Sequence, residues 1–145
     1  MTDSTRTPMH LWIVGVLSLL WNSIGGIDYT MFMTRNAAYL AQVTPAQMTY
    51  LEGFPAWANA AWALGVWGAL AGSVLLLMRR KLALTAFTLS LAGLAISCYY
   101  RFMMIADETA AAFGAGVDTI TIIIWVIAIA LLGYVWWAGQ RGWLR

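Results

Sequence analysis

The stretch AWANAAWALGVWGALAGSVLLLM, which occupies residues 56–78, decides the fold class of this chain. It contains no Asp, Glu, Lys or Arg, and it is longer than the roughly 20 apolar residues that a helix needs to cross a bilayer core. Three further stretches, at residues 11–33, 82–104 and 117–138, have a similar length and apolar character. The sequence therefore predicts an all-α integral membrane bundle of four transmembrane helices, in a single domain over residues 1–145.

The composition excludes the other broad classes of protein. Of the 145 residues, 62% are hydrophobic and only 10% are charged, whereas a soluble domain carries roughly 25% charged residues to cover its surface. The net charge of +2 arises from eight basic and six acidic residues, which is too few for a patch that follows a phosphate backbone. We therefore expect a lipid bilayer as the environment and no nucleic acid as a partner.

Lys and Arg are distributed unequally between the two ends of the predicted bundle. With four spans, both termini and the loop between the second and third spans lie on one side. That side carries six basic residues and one acid: Arg6, Arg79, Arg80, Lys81, Arg141 and Arg145 with Asp3. The opposite side carries two basic residues and five acids: Arg35 and Arg101 with Asp28, Glu52, Asp107, Glu108 and Asp118. Because cytoplasmic loops are enriched in Lys and Arg, we expect both termini in the cytoplasm.

The two outer connections differ in their predicted structure. Thr44-Pro45-Ala46-Gln47 has the pattern of a capping box, with Gln47 three residues after Thr44, and proline is favoured in the first turn of a helix. The segment 34–53 is therefore predicted to form one or two short outer interfacial helices between the first and second spans. The Ala/Gly-rich segment 106–116 is predicted to be a mobile loop.

Small residues recur at helical spacing along the predicted spans. Gly65, Gly68 and Gly72 follow one another on one face of the second span, and Gly93 lies in the third. The first span contains Gly15, Ser18, Asn22 and Gly25 on one face. Helices in membranes associate by close packing of small residues, so we expect these positions to form the helix–helix contacts of one bundle. The alternative is that one of these faces joins two copies of the chain.

Polar side chains concentrate at the predicted outer end of the bundle. Asp28 and Arg101 lie about 25 Å and about 28 Å along their helices at 1.5 Å per residue, and Asn22 is the deepest strongly polar residue of the first span. The predicted outer polar cluster consists of Asp28, Arg101, Glu52, Asp118 and Asn59. We expect Asp28 and Arg101 to form a structural ion pair, because each charge is costly near hydrocarbon. The alternative is a polar vestibule that binds a small solute or a headgroup from outside.

No residue pattern in the chain points to catalysis. The sequence has one Cys and one His, and it contains no nucleophile–base pattern, glycine-rich phosphate loop or metal-binding spacing. His10 has no evident partner. We therefore expect no catalytic residues, no metal and no cofactor, and we expect that the protein is not an enzyme.

Several segments resemble a family of small four-span inner-membrane proteins of Gram-negative bacteria, often labelled "sugar transporter" by automatic annotation. The resemblance covers most of the first hundred residues. It is carried by residues 11–15 (LWIVG), 20–22 (LWN), 28–29 (DY), 35–40 (RNAAYL), 44–45 (TP), 54–57 (FPAW) and 61–68 (AWALGVWG). It implies the bacterial inner membrane and transfers no catalytic or binding residue.

These observations favour a non-enzymatic function. We expect an accessory or scaffold protein that packs with itself as a homo-oligomer or with a larger membrane complex. The alternative is a small-solute transporter, of the sugar type, that works as a parallel homo-oligomer. Against transport, the middle of the spans contains no carboxylate for proton coupling, and four helices barely enclose a pathway.

Overall fold

The computed structural model describes residues 7–114 and 116–145, most of which are helical, with no strand among them. The elements are α1 (Met9–Met33), α2 (Ala37–Leu40), α3 (Pro45–Glu52), α4 (Ala56–Leu77), α5 (Leu82–Tyr99), a π-helical turn (Tyr100–Met104), α6 (Ala106–Phe113) and α7 (Gly116–Gln140). Four helices are long and apolar enough to cross a membrane: α1, α4, α5 with its π-helical turn, and α7. The predicted fold class is confirmed. Asp3 and Arg6, which count toward the predicted orientation, lie outside the described residues.

The centre of the fold is the antiparallel pair of α4 and α5, which makes the most extensive helix contact. A Cβ atom added to Gly93 would lie 2.5 Å from the main-chain nitrogen of Gly65, and one added to Gly68 would lie 3.1 Å from the Cα of Ser90. The hydroxyl of Ser90 also donates a hydrogen bond to the carbonyl of Gly65 at 2.6 Å. Glycine thus allows the two backbones to touch, as small residues do in membrane helix pairs.

Helix α1 packs against another face of α4. Near the middle of the span, the Nδ2 of Asn22 donates a hydrogen bond to the Oγ of Ser73 at 2.9 Å, and Ser73 is fully buried. We call the end of the bundle that holds α2, α3 and α6 the outer end and the opposite one the inner end, which names the ends without fixing their side of the membrane. Toward the outer end, the rings of Tyr29 and Trp62 meet edge to face with centroids 4.9 Å apart. Gly25 approaches Val66 only at ordinary van der Waals distance, so the tight contacts of α1 lie in its inner half.

The inner ends of all four spans meet in one apolar cluster. Its buried members are Leu11, Leu76, Ala83, Phe87, Val135, Ala138 and Leu144. Gly15 lies beside this cluster, where a Cβ would meet the side chain of Leu77 at 2.5 Å, and Ser18 is buried one turn further along α1, with its hydroxyl bonded to the carbonyl of Gly15. The same end holds the segment after α7, which folds back onto the turn between α4 and α5.

The connection between the first two spans forms short helices, as predicted. Thr44 and Gln47 form both hydrogen bonds of the capping box at the start of α3. The prediction for the second outer connection was wrong, because Ala106–Phe113 forms helix α6. Alanine is the best helix former, and Asp107 and Glu108 in the first turn interact favourably with the positive end of the helix dipole.

Candidate functional site

The outer ends of α4 and α5 are covered by a cap that consists of α3, the π-helical turn and α6. An aromatic cluster forms its core, in which Tyr50, Phe54 and Tyr100 are each at most 9% exposed. Phe54 stands edge to face against both Tyr50 and Tyr100, with each pair of centroids 5.1 Å apart. This apolar core fixes the position of the polar groups around it.

One polar network ties the three elements of the cap together. The Nε of Arg101 donates a hydrogen bond to the hydroxyl oxygen of Tyr50 at 3.0 Å, and this oxygen lies 3.2 Å from the Oγ1 of Thr109. Thr109 is only 2% exposed. Its Oγ1 is also 2.9 Å from the carbonyl oxygen of Arg101 and 2.8 Å from that of Ile105. Since a hydroxyl has one proton, Thr109 donates to one of these three oxygens at a time.

The π-helical turn at the end of α5 explains why Arg101 takes part in this network. The wider turn, closed by a hydrogen bond from the amide of Ile105 to the carbonyl of Tyr100 at 3.2 Å, interrupts the regular ladder of the helix. The hydroxyl of Thr109 on α6 then reaches the carbonyl of Arg101. Single π-helical turns inside helices are frequent at functional sites, and this one presents a cationic side chain at the outer end of a span.

The structure separates the two charges that the sequence predicts to pair. Asp28 does not form an ion pair with Arg101; its Oδ1 accepts a hydrogen bond from the hydroxyl of Tyr39 at 2.7 Å. The two residues do reach the outer end of their helices. They lie on different helices that do not bring them together, however, because α1 and α5 pack against different faces of α4. The expected pair is therefore corrected to Asp28 with Tyr39 and Arg101 with Tyr50.

The other predicted members of the outer polar cluster are also dispersed. Glu52 forms an ion pair with Arg35 at 2.9 Å, and both side chains are largely exposed, so this pair contributes little to stability. Asp118 is exposed in the first turn of α7. The Nδ2 of Asn59 donates to the carbonyl of Phe54 at 3.3 Å, and its Oδ1 is buried without a hydrogen-bond partner among the described residues.

Burial, together with the contact to Asp28, raises the pKa of Tyr39 on α2. Partial burial raises the pKa of Tyr39 to about 12, and the hydrogen bond to Asp28 and the negative charge of that carboxylate act in the same direction. The phenol of Tyr39 therefore keeps its proton through the physiological range. It acts as a fixed donor to Asp28 and ties α2 to α1.

A pocket opens between α3 and α6 beside the polar network, with a volume of about 440 Å³. It is lined by Ala46, Thr49, Tyr50, Gly53, Tyr100, Ile105, Glu108, Ala111 and Ala112. The guanidinium of Arg101 lies next to this region, 5.9 Å from the ring centre of Phe102 and 5.9 Å from that of Phe113. No carboxylate among the described residues is within ion-pair distance of Arg101. The arrangement can hold a small molecule through hydroxyl groups, aromatic rings and one carboxylate.

Helix α7 is the least buried of the four spans among the described residues. In its apolar segment 11% of the residues are buried, against 22% in α1, 22% in α4 and 28% in α5 with its π-helical turn. Ile120, Ile122 and Val126 are each at least 61% exposed. Gly133 lies on the exposed side of the same helix, and a Cβ atom added there would meet nothing within 4 Å. A further helix can approach α7 closely at this glycine.

Sequence reasoning missed an aromatic cluster at the inner end. The Nδ1 of His10 is 2.6 Å from the hydroxyl oxygen of Tyr134, and its ring is stacked on Trp137 and edge to face with Trp143. These contacts join α1 to α7 and to the segment that follows it. No local signal could have found them, because His10 and Tyr134 are 124 residues apart in the chain.

No group of three or more His, Cys, Asp or Glu side chains within residues 7–114 and 116–145 is placed to hold a metal ion. The thiol of Cys98 accepts a hydrogen bond from the indole nitrogen of Trp125 at 3.4 Å, which links α5 to α7. The comparisons with known proteins find no matching family, curated protein or solved structure.

Proposed function

We propose that this small integral membrane protein is a non-enzymatic accessory protein of the bacterial inner membrane. It packs through the exposed face of α7 with a second copy of itself or with a subunit of a larger membrane complex. The observation that carries the proposal is the low burial of α7, at 11% of its apolar segment, together with the open space at Gly133.

Glycine on a surface that faces only lipid has no structural advantage. It destabilises the middle of a helix by roughly 0.5–1 kcal/mol relative to alanine. In membranes, small residues are enriched where two helices approach closely. Gly133 makes no such contact inside the protomer, so a partner helix gives this residue a role that the protomer alone does not.

Cysteine cross-linking in native membranes tests the proposal. In a Cys98→Ala background, single cysteines replace Ile122 and Val126 on α7, which are 62% and 61% exposed. Leu17 and Leu20 on α1 provide matched controls, at 60% and 61% exposure. We expect cross-linked species from the α7 positions only. With a cross-linker that joins a cysteine to an amine, a partner subunit in place of a second copy gives a product whose mass differs from that of a homodimer.

The variant Gly133→Leu should abolish these products, because a bulky side chain prevents close approach of the partner. Equal cross-linking from α1 and α7, or products unaffected by Gly133→Leu, would contradict the proposal. Purification in mild detergent, followed by identification of co-purifying proteins, distinguishes a self-complex from a larger assembly.

The proposal also includes the orientation of the chain in the membrane. The basic residues Arg79, Arg80, Lys81, Arg141 and Arg145 belong to one end of the molecule, and positively charged ends favour the cytoplasmic side. Reporter fusions after residues 80 and 145 should therefore report the cytoplasm, and a fusion near residue 110 should report the periplasm. A periplasmic signal from the fusion after residue 145 would exclude this orientation.

The outer pocket favours a second candidate function, a solute transporter that works as a parallel homo-oligomer. Its volume of about 440 Å³ suits a small molecule, and Arg101 is not paired with a carboxylate among the described residues. Uptake of labelled sugars by liposomes that contain the purified protein, with loss of uptake in Tyr50→Phe, would replace the accessory function by transport.

A further inference from the structure

A basic surface lies at the opposite end of the molecule from the cap. Five basic residues belong to it: Arg79, Arg80, Lys81, Arg141 and Arg145. The side chains of all but Arg79 are exposed. These residues come from two segments, the turn between α4 and α5 and the stretch after α7, and we call them the basic end.

Main-chain hydrogen bonds hold the two segments side by side. The amide of Arg145 donates to the carbonyl of Arg79 at 2.6 Å, and the amide of Lys81 donates to the main-chain oxygen of Arg145 at 2.9 Å. The Nε of Arg79 donates to the carbonyl of Trp143 at 3.0 Å. The backbone of residue 145 thus lies between residues 79 and 81, and Leu144 is buried beneath it at 3% exposure.

The charges of the basic end are not balanced by side-chain carboxylates of the described residues. The acidic side chains among the described residues are those of Asp28, Glu52, Asp107, Glu108 and Asp118. Each of them belongs to the cap or to the outer end of a span. No ion pair among the described residues involves Arg80, Lys81 or Arg145. The basic end therefore carries concentrated positive charge that an external anion can neutralise.

Apolar side chains border the basic end on the side of the bilayer. Met78 and Leu82, immediately beside the turn, are 58% and 63% exposed. Trp136 is 57% exposed, and the guanidinium of Arg141 lies over the ring of Trp137 at 5.3 Å. A molecule that binds here contacts cations on one side and an apolar surface on the other. A phospholipid, with its anionic headgroup and acyl chains, matches both surfaces, whereas a free anion matches only the cations.

We propose that the basic end is a binding site for the phosphate group of an anionic phospholipid. Arg80, Lys81 and Arg145 contact the phosphate from two segments, and Met78 and Leu82 lie against the acyl chains. Arg79 is a positioning residue, because its Nε is engaged by Trp143. Basic groups at the ends of spans bind anionic headgroups in this way.

Titration of the purified full chain in neutral detergent tests the assignment. Phosphatidylglycerol, phosphatidylcholine and inorganic phosphate are added separately, and lipid adducts are counted by native mass spectrometry while the unfolding temperature is recorded. We expect phosphatidylglycerol to bind and to raise the unfolding temperature, whereas phosphatidylcholine and inorganic phosphate at equal concentration do not. An equal response to inorganic phosphate would overturn the lipid assignment in favour of a simple anion site.

Two single variants with the same change of charge provide the control. Arg80→Gln should weaken phosphatidylglycerol binding about fivefold, since each Lys or Arg near an anionic surface contributes at that level. Arg35→Gln, at the other end of the molecule, should leave the affinity unchanged. The combined variant R80Q/K81Q/R145Q should weaken binding about a hundredfold. It preserves the main-chain bonds that hold the two segments together, so retention of wild-type affinity by this variant would refute the proposal.

Discussion

Gly93 on α5 lies directly against Gly65 on α4, so closely that a Cβ atom on Gly93 would be 2.5 Å from the main-chain nitrogen of Gly65 and 2.7 Å from the carbonyl oxygen of Ala61. Both obstacles are backbone atoms, which cannot rotate away as a side chain can. This contact sets the separation of the two central helices, and through them the position of the outer cap and of the basic end.

Alanine substitutions at three glycines should therefore have different effects. Gly93→Ala should destabilise the protein by about 1–3 kcal/mol, the range for overpacking. Gly15→Ala should cost less, because its added Cβ meets only the side chain of Leu77, although at the same 2.5 Å. Gly133→Ala should stabilise the isolated protomer by up to about 1 kcal/mol through helix propensity, because its Cβ meets nothing within 4 Å there. Thermal unfolding in detergent measures all three, and a Gly93→Ala variant as stable as Gly133→Ala would contradict the contact.

The pairing of Asn22 with Ser73 gives a second test of packing. Ser73→Ala removes the fully buried hydroxyl that accepts a hydrogen bond from the Asn22 amide at 2.9 Å. We expect a loss of about 0.6–2 kcal/mol, as for other hydrogen bonds between membrane helices. Ser23→Ala is the control, because that hydroxyl bonds only to the carbonyl of Leu19 within its own helix. Equal unfolding temperatures for the two variants would show that the Asn22–Ser73 hydrogen bond between α1 and α4 contributes nothing to stability.

The sequence was sufficient to predict the spans and the short helix at Thr44, because these features depend on neighbouring residues. Hydrophobic length and a capping box can be recognised within a few turns of one helix. The partners of Asp28 and Arg101 could not be predicted in the same way. Equal depth along two helices says nothing about lateral position, and the insertion of α4 between α1 and α5 is a property of the whole bundle.

Helix α6 and the network around Tyr50 also could not be predicted from neighbouring residues in the sequence. An Ala/Gly-rich segment with two acids is compatible with either a loop or a helix, and in the folded protein the segment is a helix with Thr109 buried. Nothing in the sequence near Thr109 indicates that its partners are Tyr50 and the π-helical turn. Contacts between residues so distant in the chain depend on how the cap closes over the spans.

The hydrogen bond from Arg101 to Tyr50 should be important for the stability of the cap. Tyr50→Phe removes the oxygen that accepts the Nε proton of Arg101, and hydrogen bonds to charged groups contribute about 1.5–3 kcal/mol. We expect a loss of that order in thermal unfolding and faster proteolysis between α5 and α7. Tyr99→Phe is the matched control, because Tyr99 is 61% exposed. A similar response of the two variants would mean that the network does not stabilise the cap.

The hydrogen bond between Tyr39 and Asp28 predicts that the stability of the protein falls at high pH. The pKa of Tyr39 is raised from 10.0 to about 12, first by burial and then by Asp28, so the folded protein holds this proton more tightly than the unfolded chain does. The contribution to stability is fully present below pH 10.0 and is lost as the pH rises to about 12.

Tyrosinate absorbance, measured as the difference between the wild type and Tyr39→Phe, isolates this group from the other tyrosines. Asp28→Asn should lower the pKa of Tyr39 while leaving it above 10.0, since burial is the largest cause. A Tyr39 that titrates at the same pH in the wild type and in Asp28→Asn would show that the carboxylate does not hold α2 against α1.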